Sequence, residues 1–218
     1  MRAIVFDMDG VLADTEPVHF AAAKEVLGAA GHTYTWEQNH EFFGRTTRDM
    51  FLTLDKRLGL GTSVEALMGG YHQAVLRRLE AGPLVAAPGV TGLLDALHGR
   101  NLAVALASSS HREWVNATLG ALGLKERFHV IVSGDQVRIG KPDPEIYLLT
   151  AARLGIAPER CIAIEDSPAG LLAAKRASMY AIGVRTPYFD PSALPADEQI
   201  ASLDDFPFSL IDDTDAMD

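Results

Sequence analysis

The sequence predicts an α/β fold, a doubly wound parallel sheet carrying an inserted all-helical segment. Three observations lead there. From about residue 83 onward, short apolar runs of strand type alternate with helix-type segments, a pattern that implies a parallel sheet covered on both faces. A further apolar run, Ile4-Val5-Phe6, stands near the N-terminus and belongs with them. Between Asp14 and Gly82 no strand pattern occurs, and helical periods fill the chain. Residues 1–14 and 83–218 therefore form an α/β core, and residues 15–82 a helical block placed inside it.

The first strand, expected over 4–7, ends in Asp7-Met8-Asp9-Gly10-Val11, where Gly10 lets the backbone turn away. Successive strand residues face opposite ways, so a regular strand would aim Asp7 and Asp9 in the same direction. Two like charges that close need a cation between them or a proton on one of them. Thr15 is placed to cap a helix that carries Glu16 and Pro17 in its first turn and runs to about residue 29. Helices over 36–43, 47–58 and 64–79 follow, each bounded by Gly, Thr or Ser. The second half reads as a helix at 90–97, a strand at 102–107, a helix at 114–122, a strand at 130–133, a helix at 144–154 stopped by Gly155, a strand at 161–165, a helix at 168–177 and a strand at 181–184. One more short strand is expected around 208–211, and the chain holds no internal repeat.

At 218 residues and 48% hydrophobic content, the chain can bury a sizeable core. Its net charge of −10 argues against a nucleic-acid partner, because a phosphodiester-binding face needs clustered Lys and Arg. The single cysteine, Cys161, excludes an internal disulfide and reads as a strand core residue. Apolar runs stop well short of the roughly 20 residues of a membrane span, and the early acidic pair is unlike a secretory signal. No membrane partner, a cytoplasmic location and a monomeric state are the expectations. The acidic tail over 212–218 is expected to fray and receives no function.

Ligands of an open parallel sheet collect outside the carboxyl ends of its strands. Four strands deliver polar groups there: Asp7 and Asp9; Ser108-Ser109-Ser110; Gly140-Lys141-Pro142-Asp143-Pro144; and Glu165-Asp166-Ser167-Pro168. Each has an ordinary reading on its own, as a turn, a helix cap or a strand-to-helix loop. A calcium loop is a poor reading of Asp7-Met8-Asp9-Gly10 because the third acidic position and the distal Glu are missing. Together the four groups suit phosphoryl transfer through Mg²⁺. That ion takes about six hard oxygen ligands and keeps several waters, so two or three protein oxygens suffice. Lysine offsets carboxylate and phosphate charge, a serine at a helix start offers a hydroxyl beside free N–H groups, and a carboxylate can attack phosphorus to give an acyl phosphate.

With these residues in order, the chain resembles the haloacid dehalogenase superfamily of Mg²⁺-dependent phosphotransferases. The resemblance rests on Asp7-Met8-Asp9-Gly10-Val11, Ser108, Lys141 within Gly140-Lys141-Pro142-Asp143-Pro144-Glu145-Ile146-Tyr147, and Glu165-Asp166-Ser167-Pro168-Ala169-Gly170. It covers nearly the whole chain and is closest to the branch holding phosphoglycolate phosphatases, sugar-phosphate phosphatases and beta-phosphoglucomutase. It implies a Rossmann-like core, an inserted helical cap, and a Mg²⁺-dependent phosphatase acting on a small phosphorylated metabolite. Asp7 would be nucleophile and metal ligand. Asp9 would be the general acid and then base, with its backbone carbonyl on the metal. Asp166 would complete the protein's share of the metal shell with Glu165 beside it, and Ser108, Ser109 and Lys141 would hold the phosphate.

In the cap, the resemblance makes His19 and the loop Gly44-Arg45-Thr46-Thr47-Arg48 the residues that read the substrate. A solvated helix histidine and a helix N-terminus capped by Thr46 or Thr47 are equally open there. The alternative enzyme is a mutase of the beta-phosphoglucomutase type. That enzyme is expected to carry an arginine three residues after the loop glycine, where this chain has Thr47, and a cap lysine that has no counterpart here. A receiver-like phosphorylation switch would use a similar Asp, Ser and Lys set, but without a large helical insert or an acid/base two residues past the acceptor.

Overall fold

The computed structural model describes residues 1–43, 45–189 and 195–212. It divides into two compact units, Met1–Asp14 with Leu84–Asp218, and Thr15–Pro83.

The first unit is built on a six-stranded sheet among the described residues. Its strands are β1 (Ala3–Phe6), β2 (Ala103–Ala107), β3 (Val130–Val132), β4 (Cys161–Glu165), β5 (Tyr180–Val184) and β6 (Glu198–Ile200), in the spatial order β3-β2-β1-β4-β5-β6. All neighbouring pairs are parallel. Strand alternation gives β1 two different faces. Ile4 and Phe6 join Val104, Leu106, Ile162 and Ile164 in one core with Val90, Leu93, Leu94 and Leu97 of α5 (Val90–Gly99) and Val115 and Leu119 of α6 (Arg112–Leu122). Ala3 and Val5 join Ala105, Ala107 and Ala163 in a second core with Ile146, Tyr147 and Ala151 of α7 (Glu145–Leu154) and Leu171, Ala173 and Ala174 of α8 (Pro168–Arg176). The small side chains of that second face let α7 and α8 lie close to the strands. Chain order reverses between β1 and β4, so the crevice of this doubly wound sheet opens where β1 and β4 end.

The expected sixth strand is misplaced by the sequence reading. Residues 209–211 fall in a short helix, α9 (Ser209–Asp212), with Phe208 in the turn before it, and the edge strand is β6 at Glu198–Ile200. A three-residue edge strand has too few residues to show a period. The apolar residues near 208 pack inward from a helix instead: Ile211 is buried, and Phe208 and Leu210 lie against the first core.

The second unit holds α1 (Glu16–Ala29), α2 (Trp36–His40), α3 (Thr47–Leu58) and α4 (Val64–Ala81). The buried residues of α4, namely Val64, Leu67, Tyr71, Ala74, Val75 and Leu79, follow helical spacings of three and four, with Ala74 and Val75 side by side, and form one stripe. Caps mark the starts: Thr35 and Gln38 form a reciprocal capping box on α2, Thr46 accepts from the Asp49 N–H on α3, and Ser63 accepts from the Ala66 N–H on α4. Thr15 occupies the cap position of α1 but accepts no capping hydrogen bond, because its backbone is already helical rather than extended. No described helix is long and apolar enough to cross a membrane.

Candidate active site

The site grows from the end of β1. The Asp7 N–H still donates to the Ile164 carbonyl of β4 at 2.9 Å, so its carboxylate projects from strand geometry beside the end of β4. Gly10, at φ +79°, turns the chain, and its N–H closes the turn on the Ala13 carbonyl at 2.9 Å.

Lys141 ties this end of the sheet together. Its Nζ donates to Asp7 Oδ1 at 2.6 Å, Glu165 Oε1 at 2.6 Å and the Ala107 carbonyl at 2.9 Å. One ammonium thus reaches the ends of β1, β2 and β4, and its side chain is only 7% exposed. Three donors meeting three acceptors satisfy the ammonium fully. The two carboxylates hold Lys141 above the usual lysine pKa although burial works against its charge, so it remains a cation.

Glu165 is saturated too. Oε1 accepts from Lys141 and from the Tyr147 hydroxyl at 2.8 Å, and Oε2 accepts from the Asp166 N–H, the Ser167 N–H and the Ser167 hydroxyl. Gly170, in the first turn of α8, makes room for this carboxylate: a Cβ there would lie 1.9 Å from Oε1. Tyr147 is held well above the usual tyrosine pKa by burial and by Glu165, which keeps its proton available for donation.

Asp7, Glu165 and Asp166 each place a carboxylate oxygen within 4.8 Å of the others, and all three are buried. Burial and the charge of Glu165 raise Asp7 to about 8 against the pull of Lys141, and burial with Glu165 and Asp7 raises Asp166 well above the carboxylate range. Three hard, crowded oxygen donors with a single lysine to balance them fit a divalent cation such as Mg²⁺.

Asp9 points elsewhere. Its Oδ2 accepts from the Ser110 hydroxyl at 2.8 Å, and the Ser110 N–H donates in turn to Ser108 Oγ at 3.1 Å. Ser108 is fully buried, whereas Ser109 is exposed. Asp7, Asp9, Ser108, Lys141, Glu165 and Asp166 thus gather at one end of the sheet, each supplied by a strand end or the loop after it.

Two partners escaped the sequence reading. The sequence singles out Ser108 and Ser109, although a continuing strand period sets Ser110 on the side of Ser108. Tyr147 lies six residues past Lys141, buried on the inner face of α7, where its spacing reads as one more core position.

Within the helical unit, His19 Nδ1 lies 2.8 Å from the Tyr71 hydroxyl, and the two rings stack at 6.0 Å. Arg45 sits over the Phe42 ring at 5.9 Å. Thr46 caps α3, Thr47 is its first residue, and Arg48 pairs with Glu65 at 3.2 Å on an exposed surface. Gly44 and the tail beyond Asp212 lie outside the described residues.

Comparison with known proteins agrees with this arrangement. Residues 1–178 match the model of the haloacid dehalogenase-like hydrolases. The chain is 38% identical over 179 residues to a phosphorylated carbohydrates phosphatase of Thermotoga maritima, covering 82% of each chain. It is 33% identical over 193 residues to beta-phosphoglucomutase of Bacillus subtilis, covering 84% of this chain and 83% of the other. Among solved structures, CbbY from Rhodobacter sphaeroides in complex with phosphate superposes with a TM-score of 0.84 at 27% identity, over 94% of this chain and 96% of that one.

Proposed function

Because the chain belongs to the haloacid dehalogenase-like hydrolase family, we propose that it is a Mg²⁺-dependent phosphatase of a small phosphorylated carbohydrate or related metabolite. The observation that carries this reading is Lys141 bridging Asp7 and Glu165 while Asp9 is held apart on Ser110.

Asp7 and Asp166 would hold the metal, joined by the Asp9 backbone carbonyl, and Glu165 stands beside them. A bound Mg²⁺ supplies charge neutralisation for the crowded carboxylates and the phosphate. Asp7 attacks phosphorus and forms a new O–P bond as the ester P–O bond breaks. Asp9 gives its proton to the departing alcohol oxygen. Water then attacks the aspartyl phosphate and passes a proton to Asp9, and Asp7 and inorganic phosphate are released. Lys141 keeps Asp7 oriented and offsets negative charge, and Ser108 with the N–H groups of its loop receives the phosphate oxygens.

Under this reading the helical unit is a cap that chooses the substrate, with His19 and residues 44–48 as its readers. The cytoplasm is the compartment where such a metabolite is met, and a monomer suffices for the chemistry.

The test is phosphate release from a panel of phosphorylated carbohydrates and glycolate-type acids, with Mg²⁺ present and after chelation. Release that needs Mg²⁺ supports the reading, and no release from any member overturns it. A mutase would instead turn beta-glucose 1-phosphate into glucose 6-phosphate without net phosphate. The arginine expected three residues after the loop glycine in that enzyme is Thr47 here, the first residue of α3.

A further inference from the structure

We infer that Ser110 is a positioning residue for Asp9, an inference that rests on the phosphatase reading above. The Ser110 hydroxyl donates to Asp9 Oδ2 at 2.8 Å and so joins the turn after β1 to the loop after β2. Ser110 is itself held on both sides. Its N–H donates to Ser108 Oγ at 3.1 Å, and its carbonyl accepts from the Gly134 N–H at 2.9 Å. Gly134 permits that approach, since a Cβ there would stand 2.2 Å from the Ser109 carbonyl oxygen. With 9% of its surface exposed, Ser110 keeps few alternatives for its hydroxyl.

This arrangement separates two jobs that neighbouring carboxylates could confuse. Asp7, Glu165 and Asp166 gather their oxygens within 4.8 Å of one another, and the Asp9 side chain is not in that group. The Ser110 bond holds the Asp9 carboxyl by Oδ2, and a carboxyl held in one orientation presents its proton from a fixed place. Because the same serine binds Ser108 Oγ through its N–H, the acid is registered against the residue that receives the phosphate. Acid catalysis needs the donor within hydrogen-bond reach of the leaving oxygen, and a displacement of about 1 Å can cost as much as 100-fold.

Ser110 therefore matters most where the leaving group needs a proton. The experiment compares kcat/KM, which reports steps through alcohol release, for a sugar phosphate hydrolysed by the wild-type enzyme and for p-nitrophenyl phosphate, whose phenolate departs without one. Ser110→Ala is expected to lower the ratio of sugar phosphate to p-nitrophenyl phosphate activity by about 10-fold or more, and Ser110→Thr, which keeps the hydroxyl, to restore it to within about 3-fold. Should the alanine variant fail to fold, Ser110→Cys, nearly isosteric but a weak donor, is expected to show the same change of ratio. An equal loss on both esters would make Ser110 a structural bridge only, and no loss on either would make the bond incidental; both overturn the inference. A wild-type enzyme that hydrolyses neither ester would overturn the phosphatase reading and take this inference with it.

Discussion

A Cβ added to Gly10 would stand 2.1 Å from Oδ2 of Asp166. The turn that follows β1 and the acidic residue that follows β4 are therefore fitted to each other, and Gly10 also sits at φ +79°, where an L side chain is strained. Gly10→Ala is expected to cost about 1–2 kcal/mol from backbone strain alone. It also pushes Asp166 out of the cluster with Asp7 and Glu165. Denaturant unfolding should show the first effect, and a weaker Mg²⁺ requirement curve, with its midpoint moved to higher metal, the second.

Lys141 donates to two carboxyl groups that have almost no access to solvent, Asp7 and Glu165. Lys141→Met removes the cation between Asp7 and Glu165; Glu165 keeps its Tyr147, Asp166 and Ser167 donors but loses its counter-charge, and breaking a buried ion pair in this way typically destabilises by about 3–5 kcal/mol. Equilibrium unfolding of the metal-free variant measures it. Lys141→Arg is not expected to rescue activity, because a planar guanidinium cannot direct donors to Asp7, Glu165 and the Ala107 carbonyl as a tetrahedral ammonium does.

Stability of the metal-free protein should fall as pH rises. Asp7 titrates at about 8 in the folded chain, raised by burial and Glu165, against about 3.9 when unfolded. Between those values the folded state holds a proton that the unfolded state has lost. The stabilisation is thus complete below the unfolded value and disappears as pH rises through about 8. Asp166, raised in the same direction, adds to the trend. Mg²⁺ must displace these protons, so its affinity and its stabilising effect should both increase with pH. Melting temperatures across pH 5 to 9, with chelator and with Mg²⁺, give the comparison.

Tyr147→Phe removes the hydroxyl that donates to Glu165 Oε1 at 2.8 Å while keeping the ring inside the second core. Loss of one donor to a buried carboxylate is expected to cost about 1–3 kcal/mol. Unfolding free energy and kcat should fall together, since Glu165 also holds Lys141.

What could be read from the sequence was what repeats or ends abruptly. The alternation of β1, β2, β4 and β5 with their helices is long enough to show a period; Asp7, Asp9, Ser108, Glu165 and Asp166 sit at or just past strand ends where polar residues interrupt apolar runs, and Lys141 in the loop between β3 and α7. β6 has three residues and no period, whereas the apolar residues over 208–211 mimic a strand in sequence. Ser110 and Tyr147 were harder because their roles are pairwise. Nothing near Ser110 in sequence announces Asp9, 101 positions away, and Tyr147 reads as one more apolar residue of α7 until Glu165 is set beside it. The helical unit shows the same limit: Arg48 spaced like a substrate grip lies against Glu65, and Thr46 caps a helix.

The central claim is that phosphate passes through Asp7. Rapid quenching of the turning-over enzyme, borohydride reduction of any acyl phosphate and mass spectrometry of the peptide carrying residues 3–12 test it most directly. The account predicts reduction of Asp7 to homoserine only when substrate and Mg²⁺ are both present, and none in Asp7→Asn. Full turnover with Asp7 unmodified, or with the label on another residue, would contradict it.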